Sequence, residues 1–143
     1  MIRIFLDSSV LFSAAYSARG HSRDLLLRAA KGEIFLVISQ LVLTETRRNL
    51  YESAPDQVAY LELTVNSLPF ENIRPTKQDV IAAMDYVPLK DAPIVAAAKK
   101  AGVDLLVTLD KKHLLDRPQL DEFIGASIVT PKEAVDVITA SHD

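Results

Sequence analysis

Four acidic residues carry the chemistry this sequence offers: Asp7, Glu45, Asp91 and Asp110. Three of them stand where short apolar runs give way to helical ones, in Leu6-Asp7-Ser8-Ser9, Lys90-Asp91-Ala92-Pro93 and Leu109-Asp110-Lys111-Lys112. The fourth, Glu45, interrupts an apolar helical stretch that runs from Gln40 to Leu50. Oxygen-only carboxylate sets are what a hard divalent cation binds. Such a cation in turn supports hydrolysis of a phosphodiester.

Each acid also has a plainer reading. Asp at a strand–helix junction is a favoured N-cap that accepts a backbone N–H for about 1 kcal/mol. Glu45 lies one helical turn from Leu41 and Val42, so it shares their face, and an unpaired buried carboxylate costs several kcal/mol. Either a salt bridge to Arg47 or Arg48, or a metal ion, would relieve it. Taken together the acids favour the metal, because two like charges about 4 Å apart repel by roughly 4 kcal/mol at an effective dielectric of 20. Two hydroxyls lie beside them: Ser9, two residues after Asp7, and Thr108, two residues before Asp110. Both are expected to orient a carboxylate or a metal-bound water, the alternative being a local turn or cap hydrogen bond.

Positioning four acids from such distant points requires a particular architecture. Short β-branched runs alternate with longer helical ones, the pattern of a parallel sheet covered by helices. Strands are expected at Ile2–Leu6, Ile34–Ile38, Glu71–Arg74, Leu105–Thr108 and Ser127–Val129. Helices are expected at Arg23–Lys31 with Ser22 as N-cap, Gln40–Tyr51, Pro55–Ser67, Lys77–Tyr86 with Thr76 as cap, and Pro93–Ala101 stopped by Gly102. Thr130-Pro131-Lys132-Glu133 is a capping-box sequence with proline at the first helical position. In open parallel sheets ligands bind beyond the carboxyl ends of the strands, where strand order reverses. If the strands ending before Asp7 and Asp110 are neighbours there, their carboxylates share one crevice.

With 143 residues and no repeat or Pro/Gly-rich linker, the chain is expected to form a single domain over 1–143. No apolar run approaches the roughly 20 residues that span a bilayer, so no membrane partner is expected. The N-terminus does not read as an export signal, and with no cysteine a cytoplasmic address is expected. The net charge of −3 argues against coating nucleic acid by bulk electrostatics. His21, His113 and His142 lack the paired spacing of a zinc site, so none is expected to ligate metal. Aromatic residues suggest no base-stacking platform.

At these motifs the chain resembles a PIN-domain ribonuclease over nearly its whole length. The shared pattern is an apolar strand ending Leu6-Asp7-Ser8-Ser9, Leu43-Thr44-Glu45 in a helix after the second strand, Asp91 opening the alanine-rich Ala92–Ala98, and Leu106-Val107-Thr108-Leu109-Asp110. Ser9 stands where Asn is commoner in the family. The resemblance implies a three-layer α/β/α sandwich with a central parallel sheet in the order 3-2-1-4-5. It implies Mg2+ or Mn2+ held by Asp7, Glu45, Asp91 and Asp110, and endonucleolytic cleavage of RNA to 5′-phosphate and 3′-hydroxyl ends. Many small stand-alone members are VapC-type toxins that dimerise and are blocked by an antitoxin, so a homodimer and an antitoxin protein are the partners implied. Arg19, Arg23, Lys111, Lys112 and His113 are expected to lie near the crevice and contact RNA, and surplus apolar residues of 55–67 and 77–86 to form a protein interface.

Two alternatives stay within the family: an RNA-processing nuclease without an antitoxin, and a non-catalytic module that binds RNA or protein. Outside it, a haloacid-dehalogenase-like phosphatase would want a second Asp at the position of Ser9.

Overall fold

The computed structural model describes residues 1–142. Five strands form one sheet: β1 (Ile2–Leu6), β2 (Ile34–Ser39), β3 (Glu71–Ile73), β4 (Leu105–Val107) and β5 (Ser127–Val129). Their order is β3-β2-β1-β4-β5 and every pairing is parallel. The chain therefore winds outward from β1 to β3, returns, and winds the other way through β4 and β5. The reversal falls between β1 and β4, where Ile4 pairs with Leu105 and Leu6 with Val107. These central strands are apolar without alternation because helices cover both faces: Ile4, Phe5, Leu6, Leu106 and Val107 are all fully buried.

Helices α1 (Ser8–Tyr16), α2 (His21–Ala30), α3 (Gln40–Ser53), α4 (Val58–Ser67), α5 (Lys77–Ala83), α6 (Ala92–Ala101), α7 (Pro118–Ile124) and α8 (Pro131–Ser141) complete the three layers. Helix α1 packs on α2 and α3 and α2 on α8, while α6 packs between α5 and α7. Alanines at 96, 97 and 98 are buried, which lets α6 lie close to the sheet. Among the described residues no helix is long and apolar enough to cross a membrane.

Several elements depart from expectation for identifiable reasons. Ser22 does not cap α2; Gly20, at φ 105°, takes the N-cap position and leaves Ser22 buried in the first turn. Residues 55–67 are not one helix, since Pro55–Gln57 form a 3-10 turn before α4 begins. The helix from Lys77 ends at Ala83, and tight turns close residues 84–86 before Pro88. Strands β3 and β4 each end one residue early. Helix α7 was not anticipated, although Pro118 at its start, Gly125 past its end and buried Leu120 and Ile124 one turn apart were all readable. The Thr130/Glu133 capping box forms as expected.

Leu106 tests the two-sided burial of β4. Leu106→Ala is expected to lower unfolding free energy by about 2–5 kcal/mol in urea titration. A loss below about 1 kcal/mol would mean that the helices do not close over this strand.

Candidate functional site

Asp7 ends β1 and begins α1, and its own N–H still donates to Val107 O at 3.1 Å. Its carboxylate is buried, with 9% of the residue exposed. Oδ1 accepts the Ser8 backbone N–H at 2.6 Å, and Oδ2 accepts the Thr108 hydroxyl at 2.8 Å. Thr108 is fully buried, and its oxygen also accepts the Asp110 N–H at 3.0 Å. One hydroxyl thus ties the ends of β1 and β4 together.

Asp110 is not followed directly by a helix. Its Oδ1 accepts the N–H groups of Lys112 and His113, at 3.0 and 3.1 Å, and holds residues 111–116 in a turn. Lys-Lys-His-Leu-Leu reads as helical, but Leu114 and Leu115 sink into the core and fix the turn instead. Asp91, immediately before α6, makes no capping bond. Its Oδ2 is buried without a hydrogen-bond partner among the described residues, so the plain capping reading fails there.

Glu45 is half-buried on α3, beside the buried stripe of Val42, Thr46 and Leu50. Leu41, expected on the same buried face, is instead 39% exposed. Arg47 is not the counter-ion of Glu45, because it forms a two-pronged pair with Glu62 on α4. Arg48 remains close enough to act on the Glu45 charge. The hydroxyl of Ser8 lies 3.3 Å from Asp7 Oδ1 and 3.5 Å from Glu45 Oε1, and its one proton serves one of them at a time. Ser9, expected beside a carboxylate, accepts the Leu109 N–H at 3.3 Å instead. Successive helix positions point about 100° apart, so the first serine faces the acids and the second faces the loop after β4.

Burial raises the carboxyl of Asp7 above its ordinary range, against the hydrogen bonds from Thr108 and Ser8, and the charge of Asp110 adds to the rise. Glu45 is raised by burial and then by Asp7, with Arg48 opposing and Asp91 adding. The four acids therefore act on one another's charge. His113, which sequence spacing did not suggest as a ligand, joins them: one donor atom each of Asp91, Asp110 and His113 lie within 4.8 Å of one another. An unpartnered buried carboxylate oxygen within a mainly oxygen donor set fits a hard divalent cation.

The basic residues divide. Lys111 and Lys112 are exposed on the turn after Asp110. Arg19 follows the far end of α1, about 13 Å of helix from Asp7. Arg23 is engaged elsewhere: its guanidinium binds Ala14 O and Ala15 O and lies 3.9 Å from the Tyr60 ring centre. Beside the acids runs a groove of about 610 Å3 lined by Ser8, Phe12, Tyr16, Asn49 and Leu109, among others. Phe12 and Tyr16 stack there with ring centres 5.6 Å apart, so an aromatic wall exists where composition suggested none. Their i, i+4 spacing was the available signal.

A family model described as "PIN domain" matches residues 3–112. PAE2754 from Pyrobaculum aerophilum is similar in structure, 16% identical, with TM-score 0.66 over 97% of this chain and 96% of that one. DNA-bound VapBC from Salmonella typhimurium is 19% identical, with TM-score 0.63 over 92% of this chain and 99% of that one. FitAcB from Neisseria gonorrhoeae is 16% identical, with TM-score 0.57 over 90% and 97%. At these identities the likeness concerns the fold. No curated protein sequence matches the chain.

The raised Asp7 carboxyl has a consequence for stability without metal. Its folded value exceeds its unfolded value near 4, so ionisation penalises the fold as pH rises through the window between them. Asp7→Asn cannot ionise. In EDTA, its unfolding free energy relative to the native chain is expected to increase from about pH 4.5 upward, levelling above the raised value. Urea titrations across that range check this; a difference that is flat or falls with pH would contradict it.

Proposed function

The chain belongs to the PIN-domain family, and from that premise we propose that it is a metal-dependent endoribonuclease, the toxin of a toxin–antitoxin pair, acting in the cytoplasm as one domain over residues 1–143. The observation that carries the reading is the buried, unpartnered Asp91 Oδ2, in a residue that offers a donor within 4.8 Å of one from Asp110 and acts on the charge of Glu45. A purely structural role would leave that oxygen with a donor, since buried polar atoms almost always find one.

Asp7, Asp91 and Asp110 would hold Mg2+ or Mn2+ directly, the Oδ2 atoms of Asp91 and Asp110 lying 3.7 and 3.5 Å from His113 Nδ1. The two oxygens of Asp7 are held by the Ser8 N–H and the Thr108 hydroxyl, which would fix their direction toward the ion. Glu45 on α3 would orient a water or hold a second ion. When bound, a divalent ion held by these residues would supply the Lewis acidity for attack of water on phosphorus and for the charge of the departing 3′ oxygen. Water's oxygen would bond to phosphorus as the P–O3′ bond breaks and a proton from water passes to the 3′ oxygen, giving 5′-phosphate and 3′-hydroxyl ends. The exposed Lys111 and Lys112 would meet backbone phosphates, and the Phe12–Tyr16 wall would receive an unstacked base. Arg23 is not proposed to contact RNA, because its guanidinium is engaged by Ala14 O and the Tyr60 ring.

The toxin part of the reading is supported by the resemblance to small stand-alone VapC-type members and by the fold shared with VapBC and FitAcB. Leu63 on α4 and Ile81 on α5 are more than half exposed, and Met84 just after α5 is exposed as well. They offer apolar surface for a homodimer or an antitoxin.

Purified chain is expected to cleave an end-labelled structured RNA in Mn2+ or Mg2+ and not in EDTA. Asp7→Asn and Asp91→Asn should each reduce cleavage below detection while remaining folded by circular dichroism. Undiminished cleavage by either folded variant would refute the assignment of that residue.

A further inference from the structure

His113 stands one residue beyond the family match, which ends at Lys112. Its ring nevertheless faces the acids. Nδ1 lies 3.5 Å from Asp110 Oδ2 and 3.7 Å from Asp91 Oδ2. Both separations exceed the roughly 2.7–3.2 Å of an N–H···O hydrogen bond. The imidazole therefore does not satisfy the buried Asp91 oxygen, which has no other partner among the described residues. Ligands about 2.1 Å from one octahedral cation are roughly 3.0 Å apart in adjacent positions and roughly 4.2 Å apart in opposite ones. The two separations from Nδ1 fall between those values, and one donor atom each of Asp91, Asp110 and His113 lie within 4.8 Å of one another.

The turn holds the ring in place. Asp110 Oδ1 accepts the His113 N–H at 3.1 Å, and Arg117 donates to His113 O at 3.0 Å. Leu114 and Leu115 anchor the following residues in the core. Asp110 thus has two tasks: Oδ1 shapes the turn, and Oδ2 faces the imidazole that the turn presents.

We infer that His113 Nδ1 is a ligand of the cation held by Asp91 and Asp110, and that this nitrogen tilts the site from Mg2+ toward first-row transition ions such as Mn2+. The inference rests on the metal-dependent reading above. Mg2+ favours oxygen donors and sheds water reluctantly, whereas imidazole is a ligand suited to transition-series ions. The competing account makes the ring a counter-charge that merely quiets the acids. The two accounts differ in sign: removing a ligand weakens Mn2+ binding, and removing a competing positive charge strengthens it.

The test is Mn2+ binding to the full chain, read by pulsed electron paramagnetic resonance and by calorimetry with Mn2+ and Mg2+ separately. The native chain is expected to show modulation from a directly bound nitrogen-14 nucleus, lost in both His113→Ala and His113→Gln. Each variant should lose Mn2+ affinity on the order of tenfold, with Mg2+ affinity changed less than ~twofold. Urea titration without metal establishes that the variants fold; if neither does, the nitrogen signal of the native chain decides. Mn2+ bound by the native chain without nitrogen modulation, or with modulation kept in a folded variant, would overturn the role of His113 and leave the acidic site standing. Tighter Mn2+ binding in the variants would overturn it in favour of the counter-charge. Absence of Mn2+ binding by the native chain would overturn both this inference and the metal-dependent reading beneath it.

Discussion

Negative charge gathered at the ends of two parallel strands, partly out of water, is the constraint around which this structure is arranged. Asp7 is the most buried of the acids and has its charge offset in three ways. The Ser8 N–H meets one oxygen, the Thr108 hydroxyl meets the other, and the N-terminal end of α1 supplies partial positive charge. These are not enough to restore an ordinary carboxyl, because desolvation outweighs them. Asp91 stands before the start of α6, so a second helix N-terminus faces the same crevice. Its buried oxygen still lacks a donor. The divalent cation proposed above would offset all of these costs at once.

The topology makes that crowding possible. Reversal of strand order between β1 and β4 opens a crevice at their carboxyl ends, and each strand delivers one Asp to it. Thr108 locks the two deliveries together through a single buried oxygen. Helix α3 brings Glu45 from beside its buried stripe, and the turn after Asp110 brings His113. Residues separated by more than a hundred positions thereby act on one another's charge.

Much of this was legible in the sequence, for definite reasons. β-Branched runs without alternation announced strands buried on both faces, and Asp7 and Asp110, each following such a run, marked the edge where strand order reverses. Local chemistry was also readable at Thr130, where proline and Glu133 leave little but a helix start. What escaped depends on tertiary packing. The 111–116 turn is decided by where Leu114 and Leu115 go and by the carboxylate of Asp110, not by helical propensity. His113 was sought as one of a pair at helical spacing, whereas its neighbour Asp91 lies on another element. The choice between Ser8 and Ser9 depends on how α1 is rotated about its axis. Arg23 read as a free cation because nothing in its neighbourhood shows that the carbonyls closing α1 would claim it.

The central claim is that the crowded acids exist to hold a cation between Asp91 and Asp110. The most direct measurement is anomalous diffraction at the manganese edge from crystals of the chain grown with Mn2+. The account predicts a peak within bonding distance of Asp91 Oδ2 and Asp110 Oδ2, at about 2.0–2.3 Å. Ordered side chains at both positions with no peak between them, under conditions that saturate a millimolar site, would contradict it.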